Sequence, residues 1–384
     1  MTIQTQTALI GGPNDDIILS TAVPLPQEPL QPHELAVAVK AISLNPVDTK
    51  LTGDYHTPNA ILGCDFAGEV TAVGSLAATH YGFQVGDRVA ATVIGLNALR
   101  PTIGAFAEHT ICSAFAAQKI PQDVPVASAA GGLGGLAWIT VSWALFHEMG
   151  LPAGPQLEPL NSRLPPPTRS PKINYLLPSA DTTSTKPATP VLVSGGASYT
   201  GTAAIQLLKL AGFTVLATCS PTNFDLVRSY GADFVFDYTS PTAAADIRSH
   251  TRNSLHLALD CITTPDTTQL CYAAMGRTGG RYVALDPYSD SVTATRKIVH
   301  PGWVFGLEPL GEKIAWGGVH KREANAEARE FLEVWSETMR GLVEGGKVRF
   351  HPVVVREGGL RGALEGLEEI RKKRVRGGKL VYSL

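Results

Sequence analysis

The segment 191–201 constrains the fold of this chain more than any other feature of its sequence. It reads VLVSGGASYTG, an apolar run and a glycine-rich turn, and the helical pattern TAAIQLLKLAG follows. In a strand–turn–helix unit, such a turn brings backbone N–H groups and a helix N-terminus against a pyrophosphate. In the frame GxGxxG the positions are Gly196, Ser198 and Gly201, with serine in the middle. The flanking strand and helix favour dinucleotide binding over a purely structural turn.

Strand-like and helical segments alternate after residue 190, which predicts an α/β fold with a doubly wound parallel sheet of the Rossmann type. Further strands are expected at TVLATC, FVFDY, LHLALDC and GGRYVALD. Residues 35–44, 66–74 and 85–93 instead predict short strands of a β-rich domain. The terminal segment KLVYSL is expected to complete the sheet of that domain. The predicted boundaries are a β-rich domain at 1–126, a Rossmann domain at 127–307 and a return to the first domain at 308–384.

Two segments interrupt this pattern. Residues 151–190 contain ten of the 27 prolines, which predicts an exposed insertion, more readily a tolerated surface loop than a docking element. Residues 124–146 carry no charge and are long enough to cross a bilayer. Glycines in the middle and the absence of flanking basic residues favour a loop followed by a buried helix with Trp138 and Trp143. We therefore predict no membrane span.

The charge balance excludes one class of partner. The chain has 32 Lys and Arg against 34 Asp and Glu, so it lacks the basic excess that binds a nucleic-acid backbone. The N-terminal residues show no signal-peptide pattern, so a cytoplasmic location is expected. Five scattered cysteines form no CxxC pair and are expected to be reduced thiols. No convergent ligand set for zinc is visible, so no metal is predicted.

The segment after the second Rossmann strand indicates which dinucleotide binds. An NAD enzyme would carry Asp or Glu about twenty residues after the glycine turn, to bind the ribose hydroxyls. This chain has Cys219, Ser220, Pro221, Thr222 and Asn223 there. Their hydroxyl and amide groups can donate to a 2′-phosphate, which favours NADPH. The alternative is an ordinary helix cap, and Asn223 is able to serve as both.

Five segments resemble the fungal trans-acting enoyl reductases, of the lovastatin enoyl reductase type, in the medium-chain dehydrogenase/reductase superfamily. The segments are NPVDTK at 45–50, ILGCDFAG at 61–68, ATCSPTNFDL at 217–226, ALDCIT at 258–263 and HPVVVREGG at 351–359. The similarity covers nearly the whole chain outside the proline-rich insertion. Where the zinc alcohol dehydrogenases of the superfamily have Gly-His-Glu, this chain has Gly63, Cys64 and Asp65, which disfavours the metal-dependent branch.

The resemblance implies a GroES-like catalytic domain and a zinc-independent enoyl reductase that uses NADPH. Its substrate would be an α,β-unsaturated polyketide thioester on the acyl carrier domain of a polyketide synthase or a polyketide–peptide hybrid synthase. Hydride would pass to the β-carbon, and a proton would then reach the α-carbon. The enzyme would be a monomer or a homodimer. Two alternatives remain open, a free-standing NADPH quinone or enone reductase and a non-catalytic cofactor-binding subunit of a synthase complex.

The resemblance also implies site residues. Lys50 is the catalytic candidate, placed to orient or polarise the thioester, although a loop lysine on its own usually faces water. The residues expected around the cofactor are Val47, Asp48, Thr49 and Lys50, then Gly196, Ala197, Ser198, Tyr199, Thr200, Gly201, Thr202, Ala203 and Ala204, then Ser220, Pro221, Thr222, Asn223 and Phe224, and finally Tyr238, Leu285, Asp286, Lys379 and Leu380. The residues expected along the acyl chain are Ile139, Thr140, Val141, Ser142, Trp143, Ala144, Leu145, Phe146, His147 and Glu148.

Two of these features have a simpler interpretation as well. Tyr238 is as well explained by an aromatic ring that packs on the sheet at a strand end. The basic run Arg371, Lys372, Lys373, Arg374 and Arg376 is explained by cations that favour a helix C-terminus and face water. The functional hypothesis for this run is a docking patch for an acidic carrier domain, extended to Lys379 by sequence proximity.

Overall fold

A computed structural model describes residues 4–26, 29–50, 52–133, 135–154, 156–157, 188–375 and 378–384. Most of the predicted proline-rich insertion, at 158–187, lies outside the described residues, as does Arg376 of the basic run. The chain divides into two compact units. Unit 1 comprises Met1–Leu136 and Leu307–Leu384, and unit 2 comprises Ala137–Gly306. The first break therefore lies ten residues beyond the predicted boundary at 126.

The strands are β1 (Thr5–Gly11), β2 (Ile17–Pro24), β3 (Glu34–Ser43), β4 (Asp65–Val73), β5 (Arg88–Thr92), β6 (His109–Ser113), β7 (Ala117–Lys119), β8 (Pro190–Ser194), β9 (Thr214–Cys219), β10 (Phe234–Asp237), β11 (Leu257–Asp260), β12 (Gly280–Ala284), β13 (Val299–Trp303), β14 (Val353–Arg356) and β15 (Lys379–Ser383). The α-helices are α1 (Ser75–Thr79), α2 (Val126–Gly132), α3 (Leu136–Ser142), α4 (Tyr199–Leu210), α5 (Phe224–Ser229), α6 (Ala243–His250), α7 (Pro265–Ala274), α8 (Asp290–Thr293), α9 (Ala326–Glu344) and α10 (Gly359–Arg371). A π-helical segment, Trp143–Glu148, continues α3.

Unit 1 is built on a mixed sheet with the strand order β14-β15-β3-β4-β5-β7, and β6 also pairs with β3. The strands predicted at 35–44, 66–74 and 85–93 are β3, β4 and β5, each with slightly different ends. KLVYSL does complete this sheet, because β15 pairs antiparallel with β3 and parallel with β14. β1 and β2 form a separate antiparallel pair. The β-rich part of the predicted fold is confirmed.

Helix α2 explains why the domain break comes later than predicted. The sequence predicts a loop here, but α2 packs on the sheet of unit 1, where Ala129 and Ala130 are buried against Ala41 and Ala67. The Ser43 Oγ donates to the Ala130 carbonyl at 2.7 Å. Small side chains let the helix approach the sheet closely, and its two glycines, Gly131 and Gly132, lower the helix propensity of the segment.

The apolar stretch noted in the sequence is largely internal. Val126–Glu148 is long and apolar enough to cross a membrane by length and composition alone. In the structure, 94% of its most apolar window is buried. That degree of burial is typical of core helices, whose side chains are apolar because they pack against protein.

Unit 2 contains a six-stranded parallel sheet with the order β10-β9-β8-β11-β12-β13. In chain order this is 3-2-1-4-5-6, so the predicted Rossmann fold is confirmed. The sequence pattern missed three elements, of which the short helix α8 is one and α6 and β13 are the others. Helix α6 buries only Ala243 and Ile247, which leaves a weak apolar stripe. Strand β13 contains Pro301 and Gly302, and it is an edge strand, where proline is tolerated.

Candidate functional site

The predicted pyrophosphate turn lies where the strand order of unit 2 reverses, between β8 and β11, at the carboxyl ends of the strands. Gly195 follows β8 with φ +79°, and the Ser198 Oγ accepts a hydrogen bond from the Gly201 backbone N–H at 3.0 Å. A Cβ on Gly201 would lie 2.3 Å from the Gly195 carbonyl oxygen, so a side chain does not fit there. The turn therefore presents the N-terminus of α4 at the position where such sheets bind ligands.

The structure refines the residues expected around this turn. Ala197, Ser198 and Thr200 remain partly exposed and are available to a ligand. The others are buried, namely Gly196, Tyr199, Gly201, Thr202, Ala203 and Ala204. Gly195, which adopts the left-handed conformation, directly precedes the frame Gly196, Ser198, Gly201 and is not among the predicted residues.

A second cluster of donors follows β9. The Ser220 Oγ lies 3.2 Å from the Thr222 Oγ1, and the Asn223 Nδ2 donates to the Ser220 Oγ at 3.0 Å. Pro221 is exposed and Phe224 is half-buried. A cation that the sequence did not indicate also lies here, since the Arg228 guanidinium is 5.5 Å from the centre of the Phe224 ring. Arg228 also pairs with Asp225 at 3.4 Å.

The ends of β11 and β12 are organised by Asp260, which is fully buried. Its carboxylate accepts hydrogen bonds at 2.8–3.1 Å from the Ile262 N–H, the Thr263 N–H, the Thr267 hydroxyl and the Tyr282 hydroxyl. The Thr263 hydroxyl in turn accepts from the Leu285 N–H at 3.3 Å. Leu285 and Asp286 are therefore held at the same sheet edge as the glycine turn, both half-buried.

Tyr238, the first residue after β10, is 50% exposed. The alternative that it packs on the sheet is therefore disfavoured. Its ring is accessible to a ligand at the same carboxyl edge of the sheet.

The segment expected along the acyl chain is mostly internal. Its first eight residues, Ile139 to Phe146, are buried, whereas His147 and Glu148 are partly exposed. The Trp143 and His147 rings stack with their centres 3.5 Å apart. The Glu148 carboxylate is engaged by Arg281, with the Arg281 Nη2 at 2.6 Å from Oε1. Wider π-helical turns of this kind occur frequently at functional sites.

Unit 1 contains a buried cluster of polar side chains centred on Asp65, which is 1% exposed. One carboxylate oxygen accepts from the Lys379 Nζ and the Asn45 Nδ2, both at 2.9 Å. The other accepts from the Thr92 hydroxyl at 2.8 Å and the Leu136 N–H at 3.0 Å. The backbone comes this close because residue 135 is a glycine with φ +98°, and a Cβ there would lie 2.4 Å from the carboxylate.

The ionisation of this cluster is set by burial. Burial raises the pKa of Asp48 to about 7, although the Asn45 backbone N–H donates to it at 2.7 Å. Burial also raises the pKa of the Cys64 thiol well above its ordinary range. His351 is displaced in the opposite direction, since burial and the nearby Lys379 lower its pKa to about 4. Lys379 and Asp65 thus form the buried ion pair, with a neutral His351 ring and Cys64 thiol near it at neutral pH, whereas Asp48 is neutral only below about pH 7.

The predicted NPVDTK residues face different environments. Pro46–Thr49 forms a 3-10 turn in which Asp48 is buried, Val47 and Thr49 are half-buried, and Lys50 caps the end and is exposed. Besides Asp48, two further residues predicted at the cofactor point inward, because Lys379 lies in the Asp65 cluster and Leu380 is 1% exposed within β15. The Asp65 cluster itself was missed.

The described residues contain no group of three or more His, Cys, Asp and Glu side chains arranged to hold a metal ion. The oxygens of Asn45 and Asp65 instead surround the Lys379 ammonium. Cys64 lies beside this cluster as a buried thiol.

The basic run at the end of α10 is less available than its sequence indicates. Arg371 and Lys372 both pair with Glu368, one turn earlier on the same helix. The Arg371 Nε also donates to the Thr49 carbonyl at 3.3 Å. Lys379 is buried and cannot belong to a surface patch. The exposed cations of this run among the described residues are Arg371, Lys372, Lys373 and Arg374.

Two family descriptions match the chain. Residues 31–122 match the alcohol dehydrogenase GroES-like domain, and residues 200–297 match the zinc-binding dehydrogenase family. Curated relatives match over nearly the whole length. Trans-enoyl reductase cghC of Chaetomium globosum is 58% identical over 99% of this chain and 98% of its own length. Trans-enoyl reductase tasC of Hapsidospora irregularis is 60% identical with the same coverage.

Solved structures of low identity share the fold. The CurK enoyl reductase has a TM-score of 0.68 at 18% identity, with 99% of this chain and 98% of that chain covered. A quinone oxidoreductase of Pseudomonas syringae has a TM-score of 0.65 at 21% identity, with both chains fully covered. Enzymes of different named activities thus share this architecture, and the fold alone does not separate them.

Proposed function

This chain belongs to the trans-enoyl reductases of the medium-chain dehydrogenase/reductase superfamily, the family predicted from its sequence, and we propose that it reduces the α,β-double bond of a polyketide thioester. The observation that carries the proposal is the similarity over nearly the whole chain to relatives named trans-enoyl reductases. That similarity spans both structural units.

The family implies a nicotinamide cofactor, and the residues of unit 2 fit one. The glycine turn leaves no space for a Cβ at Gly201, and Ala197, Ser198 and Thr200 are partly exposed beside the N-terminus of α4. We assign the pyrophosphate to this turn, and the adenosine side to Tyr238. Leu285 and Asp286 would approach the nicotinamide from the end of β12.

NADPH is the proposed form of the cofactor. The donors of Ser220, Thr222 and Asn223 suit a 2′-phosphate, and the Arg228 guanidinium adds a positive charge beside Phe224. The segment 219–224 contains no carboxylate, and the next residue, Asp225, pairs with Arg228 at 3.4 Å.

When bound, the reduced nicotinamide supplies the hydride for the β-carbon of the enoyl thioester. The chain itself must stabilise the negative charge that develops on the thioester oxygen. We assign this role to the exposed Lys50 ammonium, because a cation placed at a developing oxyanion lowers the barrier. The segment from Ile139 to Glu148 is proposed to lie along the acyl chain, with the partly exposed His147 and Glu148 at its accessible end and the buried apolar side chains behind them.

The proposed partner is the acyl carrier domain of a polyketide synthase or a polyketide–peptide hybrid synthase in fungal secondary metabolism. The exposed cations of α10 are the candidate contact, since carrier domains are acidic. The same proposal places the enzyme in the cytoplasm, as a monomer or homodimer, without a nucleic-acid or membrane partner.

The decisive experiment compares two substrate classes with one protein preparation. We expect NADPH-dependent reduction of crotonyl and longer enoyl thioesters, with a product heavier by two hydrogens in mass spectrometry. Simple quinones should be reduced with a kcat/KM at least about 100-fold lower. Comparable or faster quinone reduction would establish the free-standing quinone reductase instead, and cofactor binding without turnover of either class would indicate a non-catalytic subunit.

A further inference from the structure

Lys379 is held away from solvent by two acceptors. Its Nζ donates to the Asn45 Oδ1 at 2.6 Å and to the Asp65 Oδ2 at 2.9 Å. The Lys379 and Asp65 side chains are only 5% and 1% exposed. An ammonium in this position cannot reach an external ligand without breaking both bonds, and it would leave the buried Asp65 charge uncompensated.

The same contacts fix the beginning of the turn that carries Lys50. The Asn45 N–H donates to the Asp48 Oδ2 at 2.7 Å, and the Asp48 N–H donates back to the Asn45 carbonyl at 3.1 Å. The Lys50 N–H donates to the Val47 carbonyl at 3.0 Å. Two overlapping i to i+3 contacts, Asn45 with Asp48 and Val47 with Lys50, therefore tie the Lys50 backbone to the turn that Asn45 begins.

We propose that Lys379 and Asp65 are positioning residues, which hold Asn45 and thereby set the place of Lys50. This role replaces a direct contact of Lys379 with the cofactor. It rests on the proposed function for the part that Lys50 plays. A buried ion pair is a weak source of net stability, whereas its fixed geometry suits the selection of one backbone arrangement.

The charge balance of the cluster supports this role. Burial raises the pKa of Asp48 to about 7 and lowers that of His351 to about 4, which leaves both groups largely neutral between pH 5 and 6. In that range the buried charges are the Lys379 ammonium and the Asp65 carboxylate, which compensate each other. Removal of either charge alone therefore disturbs the cluster, and removal of both together preserves its neutrality.

The first test needs no cofactor and no turnover. Hydrogen–deuterium exchange of the 45–50 peptide is compared in wild type, Lys379→Met, Lys379→Arg and a surface control, Lys313→Met. Lys313 is 46% exposed and pairs with Glu323 in the same unit. We expect exchange about tenfold faster in Lys379→Met, partial recovery in Lys379→Arg, and no change in the control. Unchanged exchange in folded Lys379→Met would overturn the proposal.

A neutral double variant covers the case in which Lys379→Met does not fold. Lys379→Met combined with Asp65→Asn leaves no uncompensated charge in the cluster. It still removes the ammonium that holds Asn45, so the 45–50 peptide should again exchange about tenfold faster. Wild-type exchange in this folded double variant would contradict the positioning role.

The second test asks whether Lys379 acts through Lys50. In the presence of Lys50, Lys379→Met should lower kcat for an enoyl thioester by about tenfold, and in a Lys50→Met background by less than about twofold. The Kd for NADPH, from fluorescence titration, should change by less than about threefold. If the kcat losses of Lys379→Met and Lys50→Met multiply in the double variant, Lys379 acts independently of Lys50. A Kd for NADPH that rises as much as kcat falls would show that Lys379 contacts the cofactor directly. Either result would contradict the positioning role. A wild-type protein inactive on thioesters would defeat the proposed function, while the exchange experiment would still decide the positioning role.

Discussion

The two candidate site regions differ in the chemical groups that form them. In unit 2, the turn after β8 and the cluster after β9 consist mainly of backbone groups, hydroxyls and amides, with the exposed Arg228–Asp225 pair beside them, and they arise within short segments of sequence. In unit 1, the Asp65 cluster is a buried ion pair whose members come from distant segments. Asp65 and Lys379 are separated by 314 residues. The first region uses local backbone geometry, and the second depends on the complete sheet of its unit.

We therefore expect the two regions to respond differently to pH and to displacement of the backbone. A site made of neutral donors is indifferent to pH across the physiological range, but it fails when backbone atoms are displaced. A buried charge cluster tolerates small movements poorly and also responds to protons, because one of its members titrates near neutrality. Each of the following predictions tests one side of this contrast.

The largest effect is expected at Asp48. Its pKa is near 7 in the folded protein against an ordinary value of 3.8, so the folded state retains a proton that the unfolded state releases. Wild-type stability should therefore fall as the pH rises from about 4 to about 7, by at most about 4 kcal/mol from this group. Asp48→Asn removes that dependence. Its stability relative to wild type should increase with pH and level off above pH 7, as measured by urea unfolding.

The difference between variant and wild type is the informative quantity, because it cancels the titration of groups such as His351. A difference that stays constant from pH 4 to pH 8 would mean that Asp48 is ionised throughout. The buried cluster would then be as insensitive to protons as the turn in unit 2.

Backbone displacement is tested at Gly201. A Cβ would lie 2.3 Å from the Gly195 carbonyl, so Gly201→Ala must shift the turn, at a cost of about 3 kcal/mol. We expect the Kd for NADPH to rise about 100-fold in a fluorescence titration. Gly341→Ala is the matched control, since no atom lies within 4 Å of its Cβ and it should stabilise α9 by about 0.5–1 kcal/mol. Unchanged NADPH binding in Gly201→Ala would remove the turn from the cofactor site.

The same contrast explains what the sequence could and could not predict. The parallel sheet of the Rossmann type and the Ser198 turn follow from local apolar runs and glycine spacing, so both were predictable. The Asp65 cluster was not, because nothing in the segments around Asn45, Asp65 or Lys379 indicates that they meet. Resemblance alone assigned Lys379 to the cofactor. Edge strand β13 and the weakly amphipathic α6 were missed because their packing partners supply the signal that their own residues lack.

A smaller effect on dinucleotide affinity is expected at the cluster after β9 in unit 2, which is proposed to select the cofactor. Asn223→Ala removes an amide donor and should raise the Kd for NADPH about tenfold, with the Kd for NADH unchanged within about twofold. Ser240→Ala is the control, because Ser240 and Thr242 form a similar hydroxyl pair, at 3.0 Å, after β10. Equal losses for both dinucleotides, or tighter binding of NADH by the wild type, would contradict the assignment of 219–224 to the 2′-phosphate.

The smallest effect is expected at the exposed cations at the end of α10. These charges lie at the surface, whereas the Asp65 cluster is buried. Lys372→Glu with Arg374→Glu should raise KM for a carrier-bound enoyl substrate about threefold to tenfold, because exposed charges mainly steer association. KM for a small thioester should not change. Part of the cationic charge is already compensated, since Lys372 lies 3.6 Å from Glu368, and this limits the effect.

Lys297→Glu, at an exposed lysine of unit 2, serves as the control. Equal changes for both substrates would show that the run only faces water, and salt should weaken a genuine carrier contact.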